Sequence, residues 1–483
     1  MSFRLLSADL GTTSLKVMIL HGNGEVEGSV SEPVHTYIDG INHEQKPPEW
    51  WQSFRKACRN LQSRGIGLDV DGVVCTGQME DFIPFKDGKA ERAVLYSDTS
   101  GSRGLAKRHL PPDVVTAFTG NDWKATTPLM KWLADELPEQ WDQVLFGSKD
   151  YLIYRLTGAS VCDPVNGTVT GMMNIHTRAW EEKLWKGNGI SRRQLPRLLE
   201  PEETAGYVLK EAASQTGIPA ETPVYCGLGD GGAVTLAASA HAGNDEGYAY
   251  AGTTGWTAVP VDTLTVSTEG SVFHLAAPQQ GRFIKIMPLL NMGNVHQWAV
   301  HTWCGGDFEA FEKLMAETAS VAGSLLFVPY LNGERNPVID EKARGAFVGI
   351  DGQVTHGHMA RAVLEGLAFS LKQTFIQADI TSSILFLIGG GTKSRAFRQT
   401  VADVFQCSVQ VSAEQERLAS FGAAACGFKA VHKCSWKEAA RSVQSVDKED
   451  IIVTPDVSKK EELERKEHLF IGAARRMRGL FDT

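Results

Sequence analysis

Residues 4–20 read RLLSADLGTTSLKVMIL, and this stretch decides the fold. Two apolar runs, residues 4–8 and 15–20, flank a polar turn at residues 9–14, the pattern of two strands folding back on one another. The turn Gly22-Asn23-Gly24 leads into a further β-like run over residues 25–34. The chain therefore opens on a hairpin meander, unlike the strand-then-helix unit of a dinucleotide-binding fold. Beyond Pro47 and Pro48, Trp50, Phe54, Cys58 and Leu61 recur at helical spacing, and residues 70–75 read as a strand returning to the same sheet.

The opening pattern returns in the second half. Tyr248–Ala251 enters Gly252-Thr253-Thr254-Gly255 and continues as a strand through Val261. Between the two instances, residues 243–247 replace both periodicities with turn formers and charge. Two similar α/β domains are expected, residues 1–243 and 244–483, each opening with a polar hairpin. Residues 223–226 form a strand that runs into Gly227-Leu228-Gly229-Asp230-Gly231-Gly232 and an Ala-rich helix ending near Ala240. Later, Met359, Val363, Leu367, Leu371 and Phe375 mark a long helix, and residues 384–388 a buried strand ending in Gly389-Gly390-Gly391. Residues 419–427 spell a helix of small residues suited to close backbone packing. Residues 459–478 are expected to form a surface helix.

Composition narrows the function. With 483 residues, 42% of them hydrophobic, the chain can bury a sizeable core, and a net charge of −9 gives no reason to expect nucleic acid or an anionic membrane as partner. No apolar run approaches the roughly 18 residues of a membrane span, and the first residues lack a secretory pattern, so a cytoplasmic protein is expected. The eight cysteines are scattered without Cys-x-x-Cys pairs and read as reduced, partly buried thiols. His296 and His301 fit no zinc motif and are expected on a loop or helix surface.

Three polar turns, at residues 9–14, 252–255 and 389–394, each follow a strand and combine glycine with hydroxyls, which suits the close approach of a phosphate chain. Asp9 is a magnesium-side carboxylate or an Asx turn. Lys16 could neutralise phosphate or simply be an exposed strand position. Asp230 could accept a proton from a substrate hydroxyl or cap the helix that follows it; its ordinary pKa near about 4 makes it a weak base. Gly227, Gly229 and Gly232 match a dinucleotide fingerprint, but an acidic Asp230 would face the pyrophosphate and the other glycine turns would have no task. Residues 389–394 imitate the end of a P-loop without its spacing.

These residues resemble the FGGY family of carbohydrate kinases, nearest to its xylulose kinase branch. The matches include Ala8-Asp9-Leu10-Gly11-Thr12-Thr13, Gly77-Gln78-Met79, Gly229-Asp230, Gly252-Thr253-Thr254-Gly255 and Gly389-Gly390-Gly391. Most specific is Gly345-Ala346-Phe347-Val348-Gly349-Ile350 followed by His358-Met359-Ala360-Arg361-Ala362-Val363-Leu364-Glu365. The resemblance implies two actin-like, ribonuclease H-like domains closing over a cleft that binds ATP with Mg2+ and a small sugar or polyol. It implies Asp230 as general base and Asp9 as holder of magnesium through water. Gly11, Thr12, Thr13 and Thr253 would line the phosphates, Gly390, Gly391 and Arg395 the adenosine end, and Met79 and Glu80 the sugar. A ketopentose such as xylulose is the expected substrate, another ketose or a polyol the alternative, and a homodimer is compatible with the pattern. An actin-like ATPase switch would share the phosphate turns but would have no need of Met79 and Glu80.

The chain departs from the family pattern in two places. Glu80-Asp81 stands where xylulose kinases read His-Gly, and Gly231 where Asn or Gln is usual. Glu80, Asp81 and Asp230 together would repel a carboxylate substrate, so a neutral polyhydroxyl compound is expected. Trp123 and Lys124 are further candidates to face the sugar.

Overall fold

The computed structural model describes the chain except for residues 1–2, 102–109, 123–126, 135–140, 242–246, 266–270, 319–324, 338, 445–448 and 482–483. The expected domain boundary thus falls largely outside the described residues, as do Trp123 and Lys124.

Two sheets organise the molecule. The first runs in the order Thr204–Tyr207, Pro223–Tyr225, Gly72–Gly77, Arg4–Leu10, Ser14–His21, Val26–Pro33. Arg4–Leu10 pairs antiparallel with its hairpin partner Ser14–His21 and parallel with Gly72–Gly77. The second sheet repeats this plan: Tyr248–Ala251 pairs antiparallel with Gly255–Val261 and parallel with Ile384–Ile388. The strand read at residues 70–75 lies two positions later, at Gly72–Gly77, because Val70 precedes the turn that brings the chain into the sheet.

Alternating side chains on each central strand bury both faces. Leu6, Ala8 and Leu10 pack under Pro47–Ser63, whose Trp50, Trp51, Phe54 and Leu61 form its apolar stripe, and under Ser148–Thr157. On the second sheet Ala249, Ala251, Leu385 and Leu387 pack under the long helix His356–Ala378. The remaining faces turn toward each other. Between them lie two helices of small residues, Asp230–His241 from the first half and Leu418–His432 from the second. A β-carbon on Gly422 would sit 1.9 Å from the Ala233 carbonyl oxygen, so at this crossing the helices touch backbone to backbone. The Ser7 hydroxyl donates to the Ser420 carbonyl at 2.9 Å, a buried contact between residues 413 positions apart.

Residues inserted between Gly77 and Thr204 build a smaller apolar cluster around Phe82, Leu129, Trp132, Phe146 and Met172. This insertion grips the edge strand Phe273–Ala276 of the second sheet. The Asn121 amide donates to the His274 carbonyl at 2.8 Å and accepts from the His274 N–H at 2.7 Å, while Ala276 N–H donates to the Thr168 hydroxyl at 3.0 Å.

Two expectations are corrected. His296 is buried among Phe308, Phe311 and Phe397, and burial lowers its pKa to about 4; its helix, Gly293–Cys304, presents that side inward. The last helix, Lys460–Met477, is not merely a surface element, since it buries Leu463 and Phe470 and pairs Lys466 with Glu365 at 2.9 Å. All eight cysteines are free thiols, and burial pushes Cys58 and Cys75 up to about 12.

Candidate active site

Parallel strands that share a sheet end at the same rim, and the motifs follow from that register. Asp9 lies opposite Thr76 on one side and Lys16 on the other, and Leu10 opposite Gly77. The turns after Leu10 and Gly77 therefore leave the first sheet together, and the chain beyond Tyr225, which pairs with Val74 in a parallel strand, runs toward the same rim. Ile388 pairs with Tyr250, so the Gly252 and Gly389 turns leave the second sheet together in the same way. Gly389, at φ +101°, lies so close to Ala251 that a β-carbon would come 2.6 Å from its carbonyl oxygen.

Asp230 is the first residue of its helix, and its half-buried carboxylate accepts the Gly231 N–H at 2.7 Å. Burial, then the charge of Asp9, then that of Glu80 raise its pKa to about 7, against the opposing Gly231 hydrogen bond. The sequence-based expectation of an ordinary value near about 4 is corrected by this crowding. Burial also raises Asp9, with Lys16 opposing.

Glu80 adopts a left-handed backbone conformation, φ +63°, a rare state for a residue with a β-carbon. Its N–H donates to the Asn166 side chain at 3.3 Å and its carbonyl accepts the Lys131 ammonium at 2.9 Å. Lys131 also donates to the Leu95 carbonyl and is almost fully buried. Burial lowers its pKa, and Asp81, Glu80 and Asp98 oppose that shift. Asp81 is fully buried behind Glu80; burial pushes its carboxyl well up, Lys131 opposes, and the Asp230 charge adds to the rise. Met79 is buried against Gly229, and a β-carbon at Gly231 would meet Met79 and Leu275 only at 3.6 Å. Nothing in the local packing demands glycine at 231, so its missing side chain leaves room beside Asp230.

Of the phosphate-side candidates, Gly11 N–H closes its turn on the Ser14 carbonyl at 3.1 Å, the Thr12 carbonyl accepts Gln45 at 2.8 Å, and Thr13 is exposed. Lys16 donates to the Glu416 carbonyl at 2.8 Å, joining the two halves. Gly252 and Thr253 present their carbonyls to the N-terminus of Gly293–Cys304, accepting Gly293 and Asn294 N–H groups at 2.8 and 3.0 Å. Thr253, Gly390 and Arg395 are exposed and Gly391 is half-buried. Lys131 was missed by motif reading because it lies in an unremarkable amphipathic stretch of the insertion. The sequence carries no signal for it, because Glu80, Asp81 and Asp98 gather around Lys131 only in the fold.

The two halves thus repeat one plan, with Asp9 and its neighbours Glu80 and Asp230 at the rim of the first sheet and glycine-hydroxyl turns leaving both sheets. The chain belongs to the FGGY family of carbohydrate kinases: residues 5–237 match the family's N-terminal domain and residues 247–431 its C-terminal domain. It is 28% identical over 437 residues to the xylulose kinase of Bacillus subtilis, covering 87% of each chain. Its fold superposes on a gluconate kinase from Lactobacillus acidophilus with a TM-score of 0.88 at 23% identity, covering 100% of this chain and 99% of that one. A ligand-bound xylulose kinase from the same organism gives 0.86 at 24% identity, covering 98% of both. Among the described residues no helix is long and apolar enough to cross a membrane.

Proposed function

We propose that this kinase phosphorylates a hydroxyl of a neutral open-chain sugar, a ketopentose such as xylulose foremost, using ATP with Mg2+. The observation that carries the reading is Asp230: a half-buried carboxylate whose pKa of about 7 sits near neutral pH, on the rim shared with Asp9 and Glu80. A general base performs best when its pKa lies near the working pH. Asp230 takes the proton of the attacking hydroxyl, a modest demand because phosphoryl transfer proceeds through a loose transition state.

Asp9 suits magnesium. Its half-buried carboxylate lies on the phosphate-side rim, and magnesium is typically held by one or two carboxylates, water and the substrate's own phosphates. The ion would supply charge neutralisation between the phosphates. Gly11, Thr12, Thr13, Lys16 and Thr253 line the phosphate path in this reading, Gly390, Gly391 and Arg395 the adenosine end, and Met79 and Glu80 the sugar. The division into residues 1–243 and 244–483 assigns the base, the sugar side and part of the phosphate path to the first half, and the rest of the phosphate path and the adenosine end to the second.

The acidic pocket supports a neutral substrate over gluconate, since the Glu80 charge already raises the pKa of both Asp81 and Asp230 and the Asp230 charge raises that of Asp81. Glu80 also keeps a polyol in view, because a carboxylate accepts two hydroxyl hydrogen bonds. The test is a panel of ketopentoses, ketohexoses, polyols and gluconate with MgATP, the product identified by mass and phosphorus NMR. Phosphorylation of gluconate alone would overturn the neutral-substrate reading.

A further inference from the structure

Aromatic residues border the Gly252 turn without a task in the reading above. Tyr250 and Trp256 face each other across the hairpin, and their rings stack with centroids 3.7 Å apart and planes 13° from parallel. The Trp256 indole N–H donates to the Tyr248 hydroxyl at 3.4 Å, Tyr248 and Thr235 hydroxyls lie 3.1 Å apart, and Thr235 donates to the Gly231 carbonyl at 2.7 Å. The stack is thereby tied to the turn that carries Asp230.

Tyr250 leans over the Gly252 turn. A β-carbon at Gly252 would lie 2.3 Å from the Tyr250 ring and 2.5 Å from its hydroxyl, so the ring, not the backbone angles, demands glycine there. The phenol is half-buried. Burial and the nearby Asp230 and Tyr96 charges raise its pKa, so it stays a protonated donor at neutral pH. Among the described residues its hydroxyl has no hydrogen-bond partner. A rigidly held donor at a phosphate turn, within the field of the general base, is placed for an anion that arrives with substrate.

We propose that the Tyr250 hydroxyl donates a hydrogen bond to the phosphoryl group in transit from nucleotide to sugar. The inference rests on the kinase reading above. As the sugar oxygen bonds to phosphorus, the bond from phosphorus to the ADP oxygen breaks; the hydroxyl proton passes to Asp230, and Tyr250 keeps its own proton while its hydrogen bond tightens on the equatorial oxygens. Binding only where charge moves makes the contact matter for kcat more than for KM.

The test is Tyr250→Phe, which keeps the ring, the Trp256 stack and the cover over Gly252. With MgATP and D-xylulose, or the best acceptor of the panel, kcat is expected to fall about ten- to hundredfold, with the sugar KM within about twofold of wild type and an unchanged thermal midpoint. An unchanged kcat overturns the proposal, and so does a raised sugar KM at constant kcat, which would put the hydroxyl on the sugar instead. Wild-type protein that releases no ADP in response to any acceptor overturns the kinase reading and this proposal with it. An active wild type matched by Tyr250→Phe overturns the proposal alone.

Discussion

Asp230 carries opposite consequences for activity and for stability. Its pKa of about 7 means that kcat/KM for the sugar should climb as pH rises toward about 7 and then level off. Asp230→Asn should lower kcat by about 10²–10⁴ while leaving ATP and sugar binding in place, measurable by coupled assay and calorimetry. Between about pH 4 and pH 7 the unfolded chain ionises this residue while the folded chain still holds the proton, so its contribution to stability falls as pH rises through that window. Asp230→Asn should therefore unfold at a higher temperature than wild type at pH 8, with the gap shrinking toward pH 5. Lys131 gives the complementary prediction. Lys131→Met frees the Glu80 carbonyl and strands Asp81, so the sugar KM should rise about tenfold with the ATP KM unchanged, and Lys131→Arg should recover part of it. At this scale Asp9 and Asp230 stand out in the sequence from their place beside glycines after strands, while Glu80 is singled out only by the family resemblance. The raised pKa of Asp230 and the role of Lys131 were not legible, because both depend on charges brought together from distant parts of the chain.

Among the elements, the pair of small-residue helices bears most directly on the site. Gly422 opposes the Ala233 backbone, three residues along the helix that begins with Asp230. Gly422→Val should push the two helices apart, costing about 1–3 kcal/mol in urea unfolding, the usual penalty of overpacking, and lowering kcat through displacement of Asp230. Replacing Gly65, where a β-carbon meets nothing within 4 Å, by Asn is the control for substitution of a glycine as such, and it should leave kcat unchanged. Small-residue composition announced that residues 419–427 would pack closely against something. It could not say that the partner would be the helix that begins with Asp230 in the other half, since apolar faces reveal burial and not what covers them.

For the whole molecule, each half has a core of its own and the two share a third apolar cluster between their sheets. Leu418–His432 packs beneath Leu5 and Val74 of the first sheet, and Lys16 reaches Glu416. Residues 1–241 expressed alone should therefore be insoluble or molten, and co-expression with residues 247–481 should restore soluble, acceptor-dependent kinase activity; a stably folded, monomeric 1–241 fragment would refute this. The repeated hairpin made two similar halves legible in the sequence. The packing of a second-half helix against the first sheet was not, because a repeat announces copies and is silent on how copies interlock.

The Gly422–Ala233 crossing has one more consequence, a mechanical one. Long side chains meshed between helices act as gear teeth, and each step of one helix past the other must lift them out of their grooves. Here the surfaces in contact are bare backbone, while the Asn121 clasp on the strand Phe273–Ala276 holds the sheet edge in register. The crossing is thus a smooth bearing beside a fastened edge, and the helix that begins with Asp230 lies on it.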